Sequence, residues 1–181
     1  NTLCWLIENK GNPGFPDYGA DISTERYRFS EKRGRLLKLH GSLNWLYCPA
    51  CHRLDLGVSE SGRGTSKVLE ELYIQNPLEP RYGCHGSECS ECRSFVRPVL
   101  ITPTHLKDYR NPHISRVWYE AERMLRQADR VVIVGYSLPE DDVDVTYLLK
   151  RGLQSVPASR ITVVEFDPQR RPLREHPVGR R

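Results

Sequence analysis

Two Cys-x-x-Cys pairs, Cys48/Cys51 and Cys89/Cys92, and one histidine, His40, are the residues whose types and spacing suggest chemistry. Each pair can present two thiolates at about 2.3 Å from a zinc ion, and together they complete a tetrahedral set with no position left for water. A centre of that kind is structural and does not catalyse. Cys84 and His85 lie between the pairs, and either can replace a member of the second, because Cys84-x4-Cys89 is also a workable ligand spacing. Cys89 with Cys92 is the preferred assignment, since both stand where the chain returns to an apolar pattern at Val96-Arg97-Pro98. His40 is of another kind: an imidazole titrates near neutral pH and can take a proton from a hydroxyl. It follows the apolar run Leu36-Leu37-Lys38-Leu39, which reads as a short buried strand, and precedes a Gly41-Ser42 turn. There a strand would hand a reactive side chain to a cleft; the bland alternative is a histidine merely satisfied at a strand end.

With 181 residues, 38% hydrophobic and 28% charged, the chain can bury one sizeable core, and no apolar run is long enough to suggest a membrane span or a membrane partner. Its net charge of +4 includes a basic end from Gln169 to Arg181. That end reads as a solvated tail, so nucleic acid is not an expected partner. Five of the six cysteines lie between positions 48 and 92, poor spacing for disulfides that staple a whole chain. A reduced, cytoplasmic, metal-binding protein is expected. The first residues carry no signal-peptide pattern, and the opening at Asn1 without methionine reads as a fragment of a longer protein.

The elements that must position these residues follow from periodicity. Residues 1–9 read as a helix with Leu3, Leu6 and Ile7 on one face, and the glycines and prolines from Gly11 to Gly19 as a loop. From about residue 46 to 98 the period is lost among cysteines, glycines and charges, which marks an inserted metal-binding module within a core of residues 1–45 and 99–168, ahead of the tail at 169–181. Inside the module, residues 54–81 have the composition of a flexible excursion, and Gly62-Arg63-Gly64 reads as linker rather than a phosphate-binding turn. The core returns with the strand Pro98-Val99-Leu100-Ile101-Thr102. Asn111-Pro112 then reads as a cap and first position of a long amphipathic helix carrying Ile114, Val117, Trp118, Ala121, Leu125 and Ala128.

Val131 to Val134 is an unbroken β-branched run into Gly135-Tyr136-Ser137-Leu138, as suits a central parallel strand covered on both faces. Ligands of open α/β sheets collect at the carboxyl ends of such strands, which makes Gly135 and Ser137 candidate contacts. Pro139-Glu140-Asp141-Asp142 opens another helix and Lys150-Arg151-Gly152 closes it, matching the helix dipole at both ends. A last strand, Ile161 to Val164, ends in Glu165, which either accepts hydrogen bonds from ribose hydroxyls or forms a turn with Asp167 and Pro168. The alternation of strands and helices indicates an α/β fold with a parallel sheet of the dinucleotide-binding kind.

With these elements in order, the chain resembles the sirtuins over about residues 1–168. The resemblance is carried by His40-Gly41-Ser42, the two cysteine pairs, the strand into Gly135-Tyr136-Ser137-Leu138 and the last strand into Glu165. It is closest to the diverged prokaryotic sirtuin-like group, for which Lys38-Leu39-His40-Gly41-Ser42-Leu43-Asn44-Trp45 and Gly135-Tyr136-Ser137-Leu138-Pro139 look typical. It implies a Rossmann-like domain, N-terminally incomplete here, with an inserted zinc-ribbon-like module, binding NAD in the cleft between them. His40 would then be the catalytic base on the nicotinamide ribose, and Gly135 and Ser137 would contact NAD. Glu165 stands where many sirtuins place a ribose-binding asparagine. The glycine-rich NAD motif would lie upstream of Asn1, and the segment from Val99 to Lys107 lacks the Phe-Gly-Glu of deacetylating sirtuins. The implied activity is NAD-dependent deacylation of an acylated protein. NAD hydrolysis, as in prokaryotic defence proteins, and NAD sensing without turnover are the alternatives.

Overall fold

The computed structural model describes residues 15–29, 31–57, 88–101 and 109–164. Expectations for residues 1–9, 62–64, Cys84, His85, Glu165 and the basic tail lie outside them. The chain has mixed helix and strand and divides into two compact units, Asn1–Val117 and Trp118–Arg181. Among the described residues no helix is long and apolar enough to cross a membrane.

Among its described residues the first unit opens with strand β1 (Phe15–Asp17), a four-residue helix α1 (Glu25–Arg28) and strand β2 (Lys32–Arg35), which pairs parallel to β1. A strand at Phe15–Asp17 differs from the loop that its glycines and prolines suggest. Pro16 costs little there, because β1 has one strand neighbour among the described residues and the missing N–H faces away from that ladder. Tyr18 and Tyr27 stack at 5.7 Å, and Tyr18 meets Trp45 edge-on at 5.7 Å, so an aromatic cluster fills this end of the core. Tyr18 and Trp45 are fully buried.

Strands β3 (Gly41–Tyr47), β4 (Leu54–Leu56) and β5 (Arg97–Leu100) form an antiparallel sheet in the order β4-β3-β5. Among the described residues β5 is an edge of that sheet, which accommodates Pro98. Opposite β5 the register of β3 jumps between Ser42 and Leu46, while Trp45 pairs with Leu56 on β4. The irregularity re-aims the middle of β3.

Helix α2 (Pro112–Arg126) starts in the first unit and ends in the second. Asn111 caps it as its sequence suggests: its Oδ1 accepts the N–H groups of His113 at 3.0 Å and Ile114 at 3.4 Å. Ile114 and Val117 are fully buried.

In the second unit β6 (Val131–Val134) and β7 (Ile161–Val164) pair in parallel, residue for residue. Helix α3 (Val143–Gly152) and a 3-10 turn (Ala158–Arg160) connect them. A Cβ on Gly152 would lie 2.6 Å from the Leu125 side chain, so glycine lets the end of α3 approach α2. The parallel pairing agrees with the β-branched run, but cover on both faces does not. Val132 and Val134, which share one face of β6, are 53% and 69% exposed, so that face lacks cover.

Candidate metal centre

The two Cys-x-x-Cys pairs occupy the tips of two antiparallel hairpins built to the same plan. In the first, Tyr47 pairs with Leu54 and six residues, Cys48 to Arg53, make the loop. In the second, Glu88 bridges to Phe95 and Cys89 to Ser94 make the loop. The backbone bonds correspond one to one. Cys48 N–H donates to the Arg53 carbonyl at 2.8 Å and His52 N–H to the Cys48 carbonyl at 2.9 Å. Cys89 N–H donates to the Ser94 carbonyl at 2.8 Å and Arg93 N–H to the Cys89 carbonyl at 3.0 Å. His52 and Arg93, each directly after the second cysteine of its pair, take left-handed φ values of 62° and 63°. That conformation costs a non-glycine residue about 1–2 kcal/mol. It turns the next N–H back toward sulfur: the Arg53 N–H bonds Cys51 and the Ser94 N–H bonds Cys92.

All four sulfurs lie within 4.8 Å of one another. Cys48 meets Cys92 at 3.5 Å and Cys51 meets Cys89 at 3.5 Å, so the hairpins touch along two opposite edges of the set. A zinc ion at about 2.3 Å from four tetrahedral sulfurs needs edges of about 3.8 Å, within this range. The four cysteines are free thiols, Cys48 and Cys89 buried and Cys51 and Cys92 exposed. Cys48 and Cys89 form an apolar cluster with Val96 and Leu46, so one side of the set is dry. The donor set fits zinc: four soft ligands, tetrahedral spacing and backbone N–H groups on two sulfurs.

The electrostatics show what a cation would relieve. Cys92 is drawn down to about 6, first by the Ser94 hydroxyl, then by the Ser94 N–H and by Cys48. Cys51 has the Arg53 N–H pulling it down, but desolvation and protons shared with Cys89, Cys48 and Cys92 push it up to about 12. One thiol ionises easily while another resists, since adjacent thiolates repel. Four bound thiolates require a cation among them.

Residues that spacing did not single out hold the set together. Arg53 donates from Nε to Asp55 at 2.8 Å, from Nη1 to Glu91 at 3.4 Å and from Nη2 to the Ser23 carbonyl at 3.4 Å. Glu91 lies between Cys89 and Cys92, so one side chain links the two hairpin tips. The matching positions of Arg53 and Ser94, each two residues past a pair, are a signal that aligning the two pairs would have exposed.

His40 lies in the same unit, in a setting unlike the expected one. Residues Leu36 to Leu39 are not a strand. Leu36 extends the β1–β2 pairing by one bond to the Asp17 carbonyl at 3.0 Å, and a turn then closes with Gly41 N–H donating to the Lys38 carbonyl at 2.9 Å. The apolar run is cut by that turn, with Gly41 in the last position that favours glycine. His40 therefore stands in a tight turn leading into β3. Its carbonyl accepts the Ile101 N–H at 2.9 Å, which fixes the turn from the other side. Gly41 has φ of 77°, and a Cβ there would lie 2.2 Å from the Val99 carbonyl oxygen. Lys38 Nζ reaches across the turn to the buried Ser42 hydroxyl at 3.0 Å, which donates to Asn44 Oδ1 at 2.7 Å.

No protein-family model matches the chain, and no curated protein or solved structure does.

Of the other expected site residues, Gly135 and Ser137 belong to the second unit. Gly135 follows β6, donates to the Val164 carbonyl at 2.9 Å and has φ of 62°, with nothing within 4 Å of where a Cβ would be. Ser137 is exposed. Between them Tyr136 donates its hydroxyl to the Asp142 carboxylate; desolvation first and Asp142 second push the phenol up to about 12. Leu138 has φ of 51°, an outlier for such a side chain.

Proposed function

We propose that this chain is part of a sirtuin-like NAD-binding domain, a Rossmann-like core carrying a zinc-ribbon-like module. In this reading Cys48, Cys51, Cys89 and Cys92 hold a structural zinc ion, and the intact protein is an NAD-dependent protein lysine deacylase. The observation that carries the reading is continuity: a single strand, β3, runs from the His40-Gly41 turn directly into the first thiol pair. The zinc supplies no reactive position, since four thiolates fill its tetrahedron. Its role is to fix the two hairpins and, through β3, the turn that presents His40.

NAD is the co-substrate in this reading. His40 would take a proton from a hydroxyl of the nicotinamide ribose once nicotinamide has left, the role of a general base. The turn bond from Gly41 and the bond from Ile101 would hold its backbone during that transfer. Gly135, at the carboxyl end of a parallel strand with open space in place of a Cβ, and exposed Ser137 suit close approach of a polar ligand. Glu165, next in sequence after Val164, would be a ribose contact. Transfer to water in place of an acyl-lysine, which makes the protein an NAD glycohydrolase, is favoured by the absence of Phe-Gly-Glu between Val99 and Lys107.

Incubating the full-length protein with NAD, with and without an acetylated peptide, separates the readings. Nicotinamide released only with peptide supports deacylation, and release without peptide supports hydrolysis. Binding of NAD without release leaves a sensing module. Full activity in His40→Ala would overturn both enzymatic readings.

A further inference from the structure

Ser42 and His113 are the buried polar or charged side chains among the described residues. Ser42 is satisfied inside the His40 turn by Lys38 and Asn44. His113 lies elsewhere, in the first turn of α2. Its Nε2 stands 2.9 Å from the His52 carbonyl oxygen, and its ring meets Tyr47 edge-on at 5.9 Å. A carbonyl only accepts, so Nε2 carries the proton.

The carbonyl it bonds is not an arbitrary one. The His52 C=O and the Arg53 N–H belong to the same peptide group, and that N–H is the donor to Cys51. The path runs from the His113 imidazole, across one peptide, to a sulfur of the metal set. A donor on the oxygen side of a peptide strengthens the N–H on its other side. Partners behind a first-ring ligand commonly change metal affinity about 10–100-fold. The same histidine is tied into α2: Asn111 caps its N–H, and Ile114 and Val117, which follow it, are fully buried.

We propose that His113 is a positioning residue that couples the metal site to the start of helix α2. Metal in the four-thiolate set and order in the first turns of α2 then stabilise each other, which is how a closed metal site can act on a helix that contributes no ligand. The coupling is reciprocal: whatever factor the metal adds to helix order, the docked helix adds to metal affinity. This inference rests on the tetrathiolate reading above.

The test uses the full chain and zinc itself. Zinc affinity is measured by competition with a chromogenic chelator, and hydrogen exchange of the Ile114–Val117 amides is followed with and without metal. In the wild type, chelation should speed that exchange about tenfold while amides around Leu148 stay protected. His113→Leu should bind zinc about tenfold more weakly, within the range expected of such partners, and its Ile114–Val117 exchange should no longer respond to metal. His113→Gln, which can place a donor near Nε2, should recover most of the affinity. Zinc-loaded wild type whose Ile114–Val117 exchange ignores chelation, or His113→Leu with wild-type affinity, overturns the coupling alone. A wild-type chain that takes up no zinc overturns the metal site and the coupling with it. Should His113→Leu fail to fold, the wild-type exchange comparison decides.

Discussion

The unit around the cysteines and the unit around β6 and β7 stabilise their strands by different means. In the first, Trp45, Tyr18, Leu54 and Ile114 are fully buried, and two of the four thiols belong to the core itself. In the second, β6 keeps Val132 and Val134 more than half exposed, and the helices approach closely at Gly152 and Leu125 and are joined by the Arg151–Glu122 ion pair at 3.0 Å. Short strands suffice in the first unit because contacts from outside the strand ladders lock them from three directions. Arg53 joins the hairpin tips, Ser23 and Thr24 bond β4 through the Leu54 carbonyl and the Leu56 N–H, and Gly41 seats β3 against Val99. The same residue types have different worth in the two places. An apolar β-branched run in the second unit contributes pairing more than burial.

The contrast can be broken most severely at the metal. Chelation, or Cys48→Ser, should loosen the first unit, most at the hairpin tips and the first turn of α2, while leaving the far-UV signal of α3 largely intact, since a closed zinc site stabilises the fold that forms it. Loss of both units together in a thermal melt would erase the distinction. Gly41→Ala comes next. It pairs a left-handed φ with a Cβ 2.2 Å from the Val99 carbonyl, and a denaturant titration should show a loss of about 2–5 kcal/mol.

The meeting of the two cysteine pairs was legible because thiolate chemistry imposes its own spacing on the chain. The helix from Pro112 was legible for a similar reason, since cap and period are local properties. The surroundings were not. Arg53 and His113 act through contacts between segments far apart in sequence, Arg53 with Glu91 and His113 with His52. No local pattern encodes such meetings. Leu36 to Leu39 misled because apolar content alone does not distinguish a strand from a half-buried turn, and the deciding bond, Gly41 to Lys38, depends on a glycine just past the run. Val131 to Val134 misled in the opposite sense: its residue types fix a strand but not what lies over its faces.

Smaller effects sharpen the comparison. Asn111→Ala removes the acceptor for two N–H groups at the start of α2 and should cost about 1 kcal/mol in a denaturant titration. Val134→Thr, at a 69% exposed position on β6, should shift stability by no more than about 0.5 kcal/mol. A loss several times larger would mean that this face is covered in solution and that the second unit is built more like the first.

The central claim is that the four thiols, brought together by two matching hairpins, hold one metal ion. Elemental analysis of the purified full-length protein, beside Cys48→Ser and Cys92→Ser, tests it most directly. The account predicts close to one zinc ion per chain in the wild type and loss of most of it in either variant. Wild-type protein with less than about half an equivalent, or variants that keep a full one, would contradict a closed four-thiolate site.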